Sequence, residues 1–334
     1  MSGRAEKEKW FEEKNKRLVD SMPIIAKQFY VYFKMGSSKK TEASCFVYLT
    51  DLNQYFTYLK MNHNNIDIDF FNKIKPVDIT VYLDYYRNSA KKPKADSTVA
   101  VMFNVIKAFY TFLEDNEYIK KNPCSRLKAP KVQQPTKTVA MTKGEINKVK
   151  DYILYADKSF YHNSKNEEYW RLRDYLIFTL GCRTGLRCSA IVAIDIEDID
   201  LEKGMIVVVE KGNVKRNIYF GSDTKDIIED WMTARGYLLK DKRSNALFIS
   251  KYRTRLSTGE VGNIIKRYTS EVIPDKHITP HKMRSTCATN LWEQTHDIYI
   301  VANQLGHKNL ANTKRYTDIS ENESRKVANI LDEL

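Results

Sequence analysis

Residues 128–137 divide the sequence into two parts whose hydrophobic residues follow different patterns. This segment, Lys-Ala-Pro-Lys-Val-Gln-Gln-Pro-Thr-Lys, holds two prolines and has neither a helical nor a strand period. Such a stretch is typical of an extended connection between domains. Because helical spacing prevails before it and the period changes after it, one uniform bundle or one sheet is excluded. We predict a linker at 129–140.

The first part is predicted to be an all-helical bundle at 20–128, preceded by an N-terminal extension at 1–19. Its hydrophobic residues recur at spacings of three and four, which places them on one face of a helix. Asn122-Pro123 ends this pattern, because a residue before proline is pushed out of the helical conformation. The two clearest stripes are Phe46, Leu49, Leu52, Phe56 and Leu59, and Met102, Ile106, Phe109 and Leu113.

The second part is predicted to be one mixed domain at 141–322. Thr142 and Glu145 have the spacing of a capping box at the start of a helix. Another helix is predicted at 169–180, ending at Gly181. The β-branched run 205–209, a turn at 211–213 and the run 217–220 predict a hairpin. A further short strand is predicted at 247–250 and helices after residue 259, so the fold class is mainly α with a C-terminal α+β domain.

The amino-acid composition excludes several classes of protein but does not identify the function. The 334 residues suffice for two domains, and 42% of them are hydrophobic, which excludes a disordered chain. No apolar run is long enough to span a membrane, and the charged N-terminus excludes a secretory signal. The five scattered cysteines lack metal or disulfide spacing and predict a reducing cytoplasm. The net charge of +13 is compatible with nucleic-acid binding but does not establish it.

A set of five short motifs in the second part points to a chemistry. Each is common alone, but their order and spacing are specific: Arg187 precedes Lys211 by 24 residues, and His307 precedes Tyr316 by nine. The motifs are Thr184-Gly185-Leu186-Arg187, Lys211 in the hairpin turn, His281-Lys282-Met283-Arg284, Leu305-Gly306-His307, and Tyr316.

This constellation closely resembles that of the tyrosine recombinase (phage integrase) family. The resemblance extends over most of residues 20–320: 97–123 resembles the end of the family's core-binding domain, and 48–52 resembles its early helix. It implies a helical core-binding domain followed by a catalytic domain, with no separate arm-binding domain before them. The expected activity is site-specific cleavage and rejoining of DNA strands.

The resemblance implies that Tyr316 attacks the scissile phosphate and forms a 3′-phosphotyrosyl bond. His281 would act as acid and base near the tyrosine, and Lys211 would protonate the departing 5′-oxygen. These residue types suit the reaction, because a phenol with a pKa near 10 needs a base and an alkoxide is a poor leaving group. Since the ester conserves the broken bond, no cofactor and no metal are expected.

The remaining three residues of the set are implied to bind the phosphate. Arg187 and Arg284 would hold its non-bridging oxygens, and His307 would donate a hydrogen bond to one of them. Planar guanidinium groups are always protonated and match phosphate geometry with two donors at once. One position departs from the family pattern: Ala190 stands where a carboxylate usually orients the first arginine. Glu197 and Asp198 are candidates to compensate for it.

The implied partner is double-stranded DNA with inverted half-sites, bound by a homodimer at one site and a homotetramer in the synapse. The tail at 323–334 has apolar residues at helical spacing, and the resemblance implies that it docks on a neighbouring protomer. We expect a cytoplasmic, nucleoid-associated protein without a membrane partner. Lysines expected to contact DNA are Lys39, Lys40, Lys91, Lys92, Lys94, Lys131 and Lys308.

Three alternatives remain open at this stage. A type IB topoisomerase shares the tyrosine, arginines and lysine but relaxes DNA without selecting a site. A catalytically weakened DNA-binding regulator is suggested by Ala190 alone. Among recombinases, integration and excision of a mobile element is the leading hypothesis, and Xer-type resolution of chromosome or plasmid multimers is the alternative.

Overall fold

The computed structural model describes residues 3–36, 40–63, 65–132, 139–156, 160–161, 164–209, 215–307, 309–310, 313 and 316. The chain divides into two compact units, 1–134 and 135–334. The predicted fold class is confirmed: most described residues are helical, and a small three-stranded sheet lies in the second unit. No helix among these residues is long and apolar enough to cross a lipid bilayer.

The first unit is helical in its described part, with an aromatic core. Phe29, Phe56, Phe71 and Phe109 are all fully buried, and Phe109 meets the other three edge to face. Both predicted stripes face this core, with only Phe46 partly exposed. The helices are α1 (Gly3–Asp20), α2 (Ile24–Met35), α3 (Glu42–Asn62), α4 (Ile68–Lys73), α5 (Pro76–Asn88) and α6 (Asp96–Asp115).

The segment predicted as an N-terminal extension forms α1, which packs against α3. The buried Asn15 side chain donates to the carbonyl oxygen of Glu42 at 2.9 Å and to its carboxylate at 2.8 Å. The same carboxylate accepts from the Tyr30 hydroxyl and pairs with Lys34. Burial alone raises the pKa of Glu42, but these donors outweigh it and the pKa is lowered. Glu42 therefore stays ionised and joins three helices.

The second unit surrounds its small sheet with helices. The predicted hairpin is confirmed: β2 and β3 pair antiparallel from Met205 opposite Tyr219 to Val209 opposite Lys215. The strands are β1 (Ile199–Asp200), β2 (Met205–Val209) and β3 (Lys215–Tyr219). The helices are α7 (Lys143–Tyr155), α8 (Glu167–Thr184), α9 (Cys188–Ala193), α10 (Ser222–Leu239), α11 (Thr258–Val272), α12 (Pro280–Thr295) and α13 (Ile298–Leu305).

Two local predictions for this unit differ from the structure, and one is confirmed. The capping box at Thr142 and Glu145 is present in both directions. The helix predicted to end at Gly181 continues to Thr184, and a Cβ at Gly181 would lie 2.3 Å from Met283 Cε. Gly181 therefore allows Met283 to pack closely against α8 and does not end the helix. Residues 247–250 form a single β-bridge, at Ile249, rather than a strand.

A buried polar network holds α8 in the core. The Asp174 carboxylate accepts from Arg173 on one oxygen, and from the hydroxyls of Tyr161 and Tyr268 on the other at 2.8 and 3.0 Å. Arg173 also donates to the Ile249 carbonyl at 2.9 Å. Because each buried charge here has hydrogen-bonding partners, the network fixes α8 rather than destabilising it. The candidate site lies at the C-terminal end of this helix.

Candidate active site

The candidate site begins at the turn that ends α8. Gly185 has φ +62°, the left-handed conformation that glycine adopts without steric cost. A Cβ on it would lie 2.7 Å from Leu305 Cδ2 and 3.2 Å from Cys287 Sγ. The chain turns there, and Arg187, two residues later, is exposed at the start of α9. Glycine therefore allows this turn to lie directly against α12 and α13.

Helix α12 carries the motif His281-Lys282-Met283-Arg284 and joins two turns through Arg284. Thr279 caps the helix by accepting from Lys282 N, and Pro280 is its first residue. The side chain of Arg284 is 2% exposed. It donates from Nη1 to the carbonyl of Gly185 at 2.6 Å, and from Nη2 to the carbonyl of Leu305. One guanidinium therefore fixes the turn before Arg187 to the end of α13.

His281 lies one helical turn before Arg284 on α12. Its side chain is exposed, whereas that of Arg284 is buried. Residues three apart on a helix lie on the same side, so His281 and Arg284 share one face of α12.

The end of α13 places His307 by a Schellman motif. Gly306 has φ +64°, and its N–H donates to Asn303 O at 3.0 Å. The N–H of His307 donates to Ala302 O at 2.9 Å. This pair of bonds reverses the chain at the glycine, as in many helix ends. His307 is therefore fixed one residue beyond the turn, with its side chain partly buried.

Two side chains that the sequence analysis missed complete this helix end. Arg216 on β3 donates from Nη1 to the carbonyls of Asn303 at 3.0 Å and Gln304 at 2.7 Å. The amide of Gln304 in turn donates to Thr184 O at 3.2 Å. In the sequence, Arg216 stands out only as a basic residue five positions after Lys211. Its position does not reveal that its side chain binds main-chain carbonyls.

Tyr316 lies beside His307. Their ring centres are 6.5 Å apart and their planes differ by 17°. The Nδ1 atom of His307 lies 2.9 Å from the hydroxyl of Thr313, and Tyr316 N donates to Thr313 O. The tyrosine is 5% exposed and packs with Ala288, Val301 and Leu305.

The structure thus brings most of the predicted residues to one place. Arg284 contacts the turns that precede Arg187 and His307, and Tyr316 stacks beside His307. Lys211 lies outside the described residues, between the ends of β2 and β3. The catalytic roles of these residues remain predictions.

The lysines expected to contact DNA differ in their surroundings. Lys40, Lys91, Lys92 and Lys131 are exposed. Lys94 instead bends back onto the end of α5, where its Nζ donates to Tyr86 O at 2.9 Å and to Ser89 Oγ at 2.6 Å. Lys39 and Lys308 lie outside the described residues, as does the tail at 323–334.

Ala190 is buried in α9, at 5% exposure. The two acidic candidates for compensation are engaged locally. Asp198 accepts from the backbone N–H of Asp195 at 2.9 Å, and Glu197 accepts from Asn245 Nδ2 at 3.3 Å. Asp198 therefore stabilises the short 3-10 turn Ile196–Asp198, and Glu197 its contact with the segment after α10.

The thiol of Cys287, beside the site, is unreactive because its burial keeps it protonated. Burial raises the pKa of Cys287 to about 12, although Arg284 and Arg216 act in the opposite direction. Cys287 is therefore a neutral packing residue against Gly185. Within the described ranges no group of three or more His, Cys, Asp or Glu side chains could hold a metal ion.

Comparison with known proteins identifies the family of this chain. The model of the phage integrase family matches residues 156–323. Tyrosine recombinase XerC of Alcanivorax borkumensis is 31% identical over 229 residues, which are 69% of this chain and 71% of that protein. Tyrosine recombinase XerD of Staphylococcus epidermidis is 28% identical over 299 residues, covering 89% of this chain and 94% of that protein.

Solved structures show the same fold. The XerH site-specific recombinase bound to a palindromic difH substrate has a TM-score of 0.69 at 19% identity, covering 87% of this chain and 81% of that one. The Tn1549 transposon integrase in complex with a circular intermediate DNA has a TM-score of 0.67 at 17% identity, covering 93% and 100%. The chain therefore belongs to the phage integrase family and is a tyrosine recombinase, an enzyme that breaks and rejoins DNA at specific sites.

Proposed function

We propose that this recombinase cleaves DNA at the site formed by the ends of α8 and α13 and the first turns of α12. The observation that carries the proposal is the position of Arg284, whose guanidinium binds Gly185 O and Leu305 O and so unites the turns bearing Arg187 and His307. A guanidinium has five N–H donors, so binding two carbonyls is compatible with binding a phosphate oxygen as well. Arg187 and Arg284 hold the non-bridging oxygens of the scissile phosphate.

His307 supplies a further donor to the same phosphate. The hydroxyl of Thr313 lies 2.9 Å from Nδ1 of the ring. When this hydroxyl donates to Nδ1, the ring proton lies on Nε2, which is the donor that a phosphate oxygen needs. In that arrangement the hydrogen bond sets the tautomer and the ring orientation together, as partners of functional histidines commonly do.

Tyr316 is the nucleophile in this mechanism. Its Oη forms a bond to phosphorus, the P–O5′ bond breaks, and the strand's 3′ end becomes esterified to the tyrosine. His281 takes the phenolic proton, and Lys211 gives a proton to the departing O5′. In rejoining, a 5′-hydroxyl attacks the phosphotyrosine and the same groups act in reverse, so no external energy source is needed.

The proposed partner is double-stranded DNA, recognised as two inverted half-sites. The net charge of +13 and the exposed lysines of both units support this. The named XerH and Tn1549 structures are themselves DNA complexes. We propose a homodimer on one site and a homotetramer in the synapse, with the tail at 323–334 docking on a neighbouring protomer.

For the biological role, we propose integration and excision of a mobile element. The second candidate is resolution of chromosome or plasmid multimers, which the XerC and XerD relatives favour. The two roles predict different target positions in a genome: the ends of a mobile element, or one site shared by chromosome or plasmid copies.

A covalent trap tests the proposed chemistry. Nicked duplexes with randomised half-sites release a short strand after cleavage, so the phosphotyrosyl adduct accumulates and survives denaturing electrophoresis. We expect an adduct with the wild-type protein and none with Tyr316→Phe. Tyr299→Phe is the matched control, since Tyr299 is an exposed tyrosine of the neighbouring α13 and should leave the adduct unchanged.

Sequencing of the trapped DNA then decides the function class. Enrichment of an inverted repeat supports a site-specific recombinase. Adducts without sequence enrichment, together with relaxation of any supercoiled plasmid, indicate topoisomerase activity instead. DNA binding without any adduct would identify a regulator that has lost cleavage.

A further inference from the structure

Arg216 connects the hairpin to the helix end that positions His307. It is the second residue of β3, and its Cα pairs with Val208 in the β2–β3 ladder. Its guanidinium reaches across to α13 and binds the carbonyls of Asn303 and Gln304 at 3.0 and 2.7 Å. Those carbonyls belong to the last turn of α13, immediately before Gly306 and His307.

The last four carbonyls of a helix have no partner within the helix. In α13 the Schellman motif satisfies Ala302 O and Asn303 O, and Arg284 binds Leu305 O. Arg216 binds Gln304 O and shares Asn303 O. A cation at the C-terminal end of a helix also interacts favourably with the helix dipole. Arg216 and Arg284 therefore hold the last turn from two different elements.

We propose that Arg216 is a positioning residue for the cleavage reaction, acting through the last turn of α13 on His307. This inference rests on the proposed role of His307 in phosphate binding. The strand that carries Arg216 is fixed by five paired positions of the ladder, whereas α13 is only eight residues long. The sheet is thus the rigid support, and the short helix end is the part that Arg216 orients.

The alternative target of Arg216 is its own hairpin, since Lys211 lies only five residues earlier in the sequence. Two hydrogen bonds of its guanidinium run away from the hairpin, to carbonyls of α13. Removal of its guanidinium leaves the backbone pairing of β2 and β3 intact, because that pairing uses main-chain atoms. The structure therefore predicts a defect specific to His307 and not to Lys211.

Hydrogen exchange tests the positioning step without requiring activity. In Arg216→Ala, we expect the amides of Gly306 and His307 to exchange about tenfold faster, because the carbonyls of the same turn lose their donor. The amides of β3 should exchange as in the wild type. Lys203→Ala is the control, since Lys203 is an exposed cation in the turn between β1 and β2 that pairs with Asp200. Unchanged exchange at Gly306 and His307 would overturn the proposal.

A double-mutant cycle tests the catalytic consequence. With saturating DNA, Arg216→Ala should slow single-turnover formation of the covalent adduct about tenfold, as loss of an orienting partner commonly does. DNA binding should change less than about twofold, and Arg216→Lys should recover part of the rate. In a His307→Ala background the same substitution should cost less than about threefold, because its effect passes through His307. A full tenfold cost in that background contradicts the proposal.

A substrate with a 5′-bridging sulfur separates the two possible targets. A thiolate leaves without protonation, so this substrate should rescue Lys211→Ala but not Arg216→Ala. Rescue of Arg216→Ala would show that Arg216 acts on the hairpin and would overturn the assignment to His307. If the wild-type protein forms no adduct at all, the proposed function fails, and hydrogen exchange still decides whether Arg216 orders the helix end.

Discussion

Two helices of the second unit end on glycines with nearly the same backbone angle, yet their surroundings differ. Gly185 at the end of α8 has φ +62°, and Gly306 at the end of α13 has φ +64°. Gly185 is buried against Leu305 and Cys287, whereas Gly306 is half-buried. Hydrogen bonds to main-chain carbonyls hold both ends, and the end of α8 is in addition packed closely against its neighbours.

Comparing the two helix ends separates two physical reasons why a position can require glycine. A left-handed φ disfavours a Cβ through contact with the residue's own backbone, whatever surrounds it. Close approach of another element adds a second cost that depends on the neighbours. Both ends precede a residue proposed to bind phosphate, so in each case glycine turns the chain sharply just before that residue.

The largest effect is expected for Gly185→Ala. The new methyl group would meet Leu305 at 2.7 Å and Cys287 at 3.2 Å in addition to the strained φ. Backbone strain of about 1–2 kcal/mol and overpacking of similar size should lower the free energy of unfolding by about 3 kcal/mol. Urea unfolding followed by tryptophan fluorescence measures this. A cost below that of Gly306→Ala would remove the distinction between the two ends.

Gly306→Ala should cost less stability but still impair cleavage. The left-handed φ alone predicts a loss of about 1–2 kcal/mol, and Gly306→Asn should lose about half of that, because asparagine tolerates this conformation. Displacement of His307 should slow adduct formation about tenfold while DNA binding changes less than about twofold. Adduct kinetics and urea unfolding on the same two variants test this. Equal rates in Gly306→Ala and the wild type would show that the turn does not position His307.

The sequence predicted the elements of this region better than their ends. Helical periodicity located α8, and the β-branched run located the hairpin, because each pattern reports which face is buried. Gly181 was interpreted as a helix end, although it lies inside α8 and accommodates Met283. Local signals cannot separate a glycine that ends a helix from one that admits a neighbour, since the neighbour is about one hundred residues away in the chain.

The residues of the candidate site likewise include some that the sequence predicted and some that it did not. The spacing of the motifs, with the resemblance, named Arg187, His281, Arg284, His307 and Tyr316, and the structure clusters the turns that carry them. Arg216 and Gln304 were missed because they bind backbone carbonyls, which are present at every residue and leave no mark in the sequence. Such contacts become visible only when the packing of β3 and α8 against α13 is known.

The smallest effect is expected for Gly181→Ala, which has close packing without a left-handed φ. Alanine favours a helix interior over glycine by about 1 kcal/mol, which offsets part of the collision. The collision is mainly with the flexible end of Met283, at 2.3 Å for Cε and 3.2 Å for Sδ. We therefore expect a net destabilisation of about 0.5 kcal/mol, since methionine has several rotamers available.

In a Met283→Leu background, which lacks that methyl group, Gly181→Ala should become neutral or stabilising in urea unfolding. A cost as large as that of Gly185→Ala in either background would show that crowding dominates over backbone angle throughout this site.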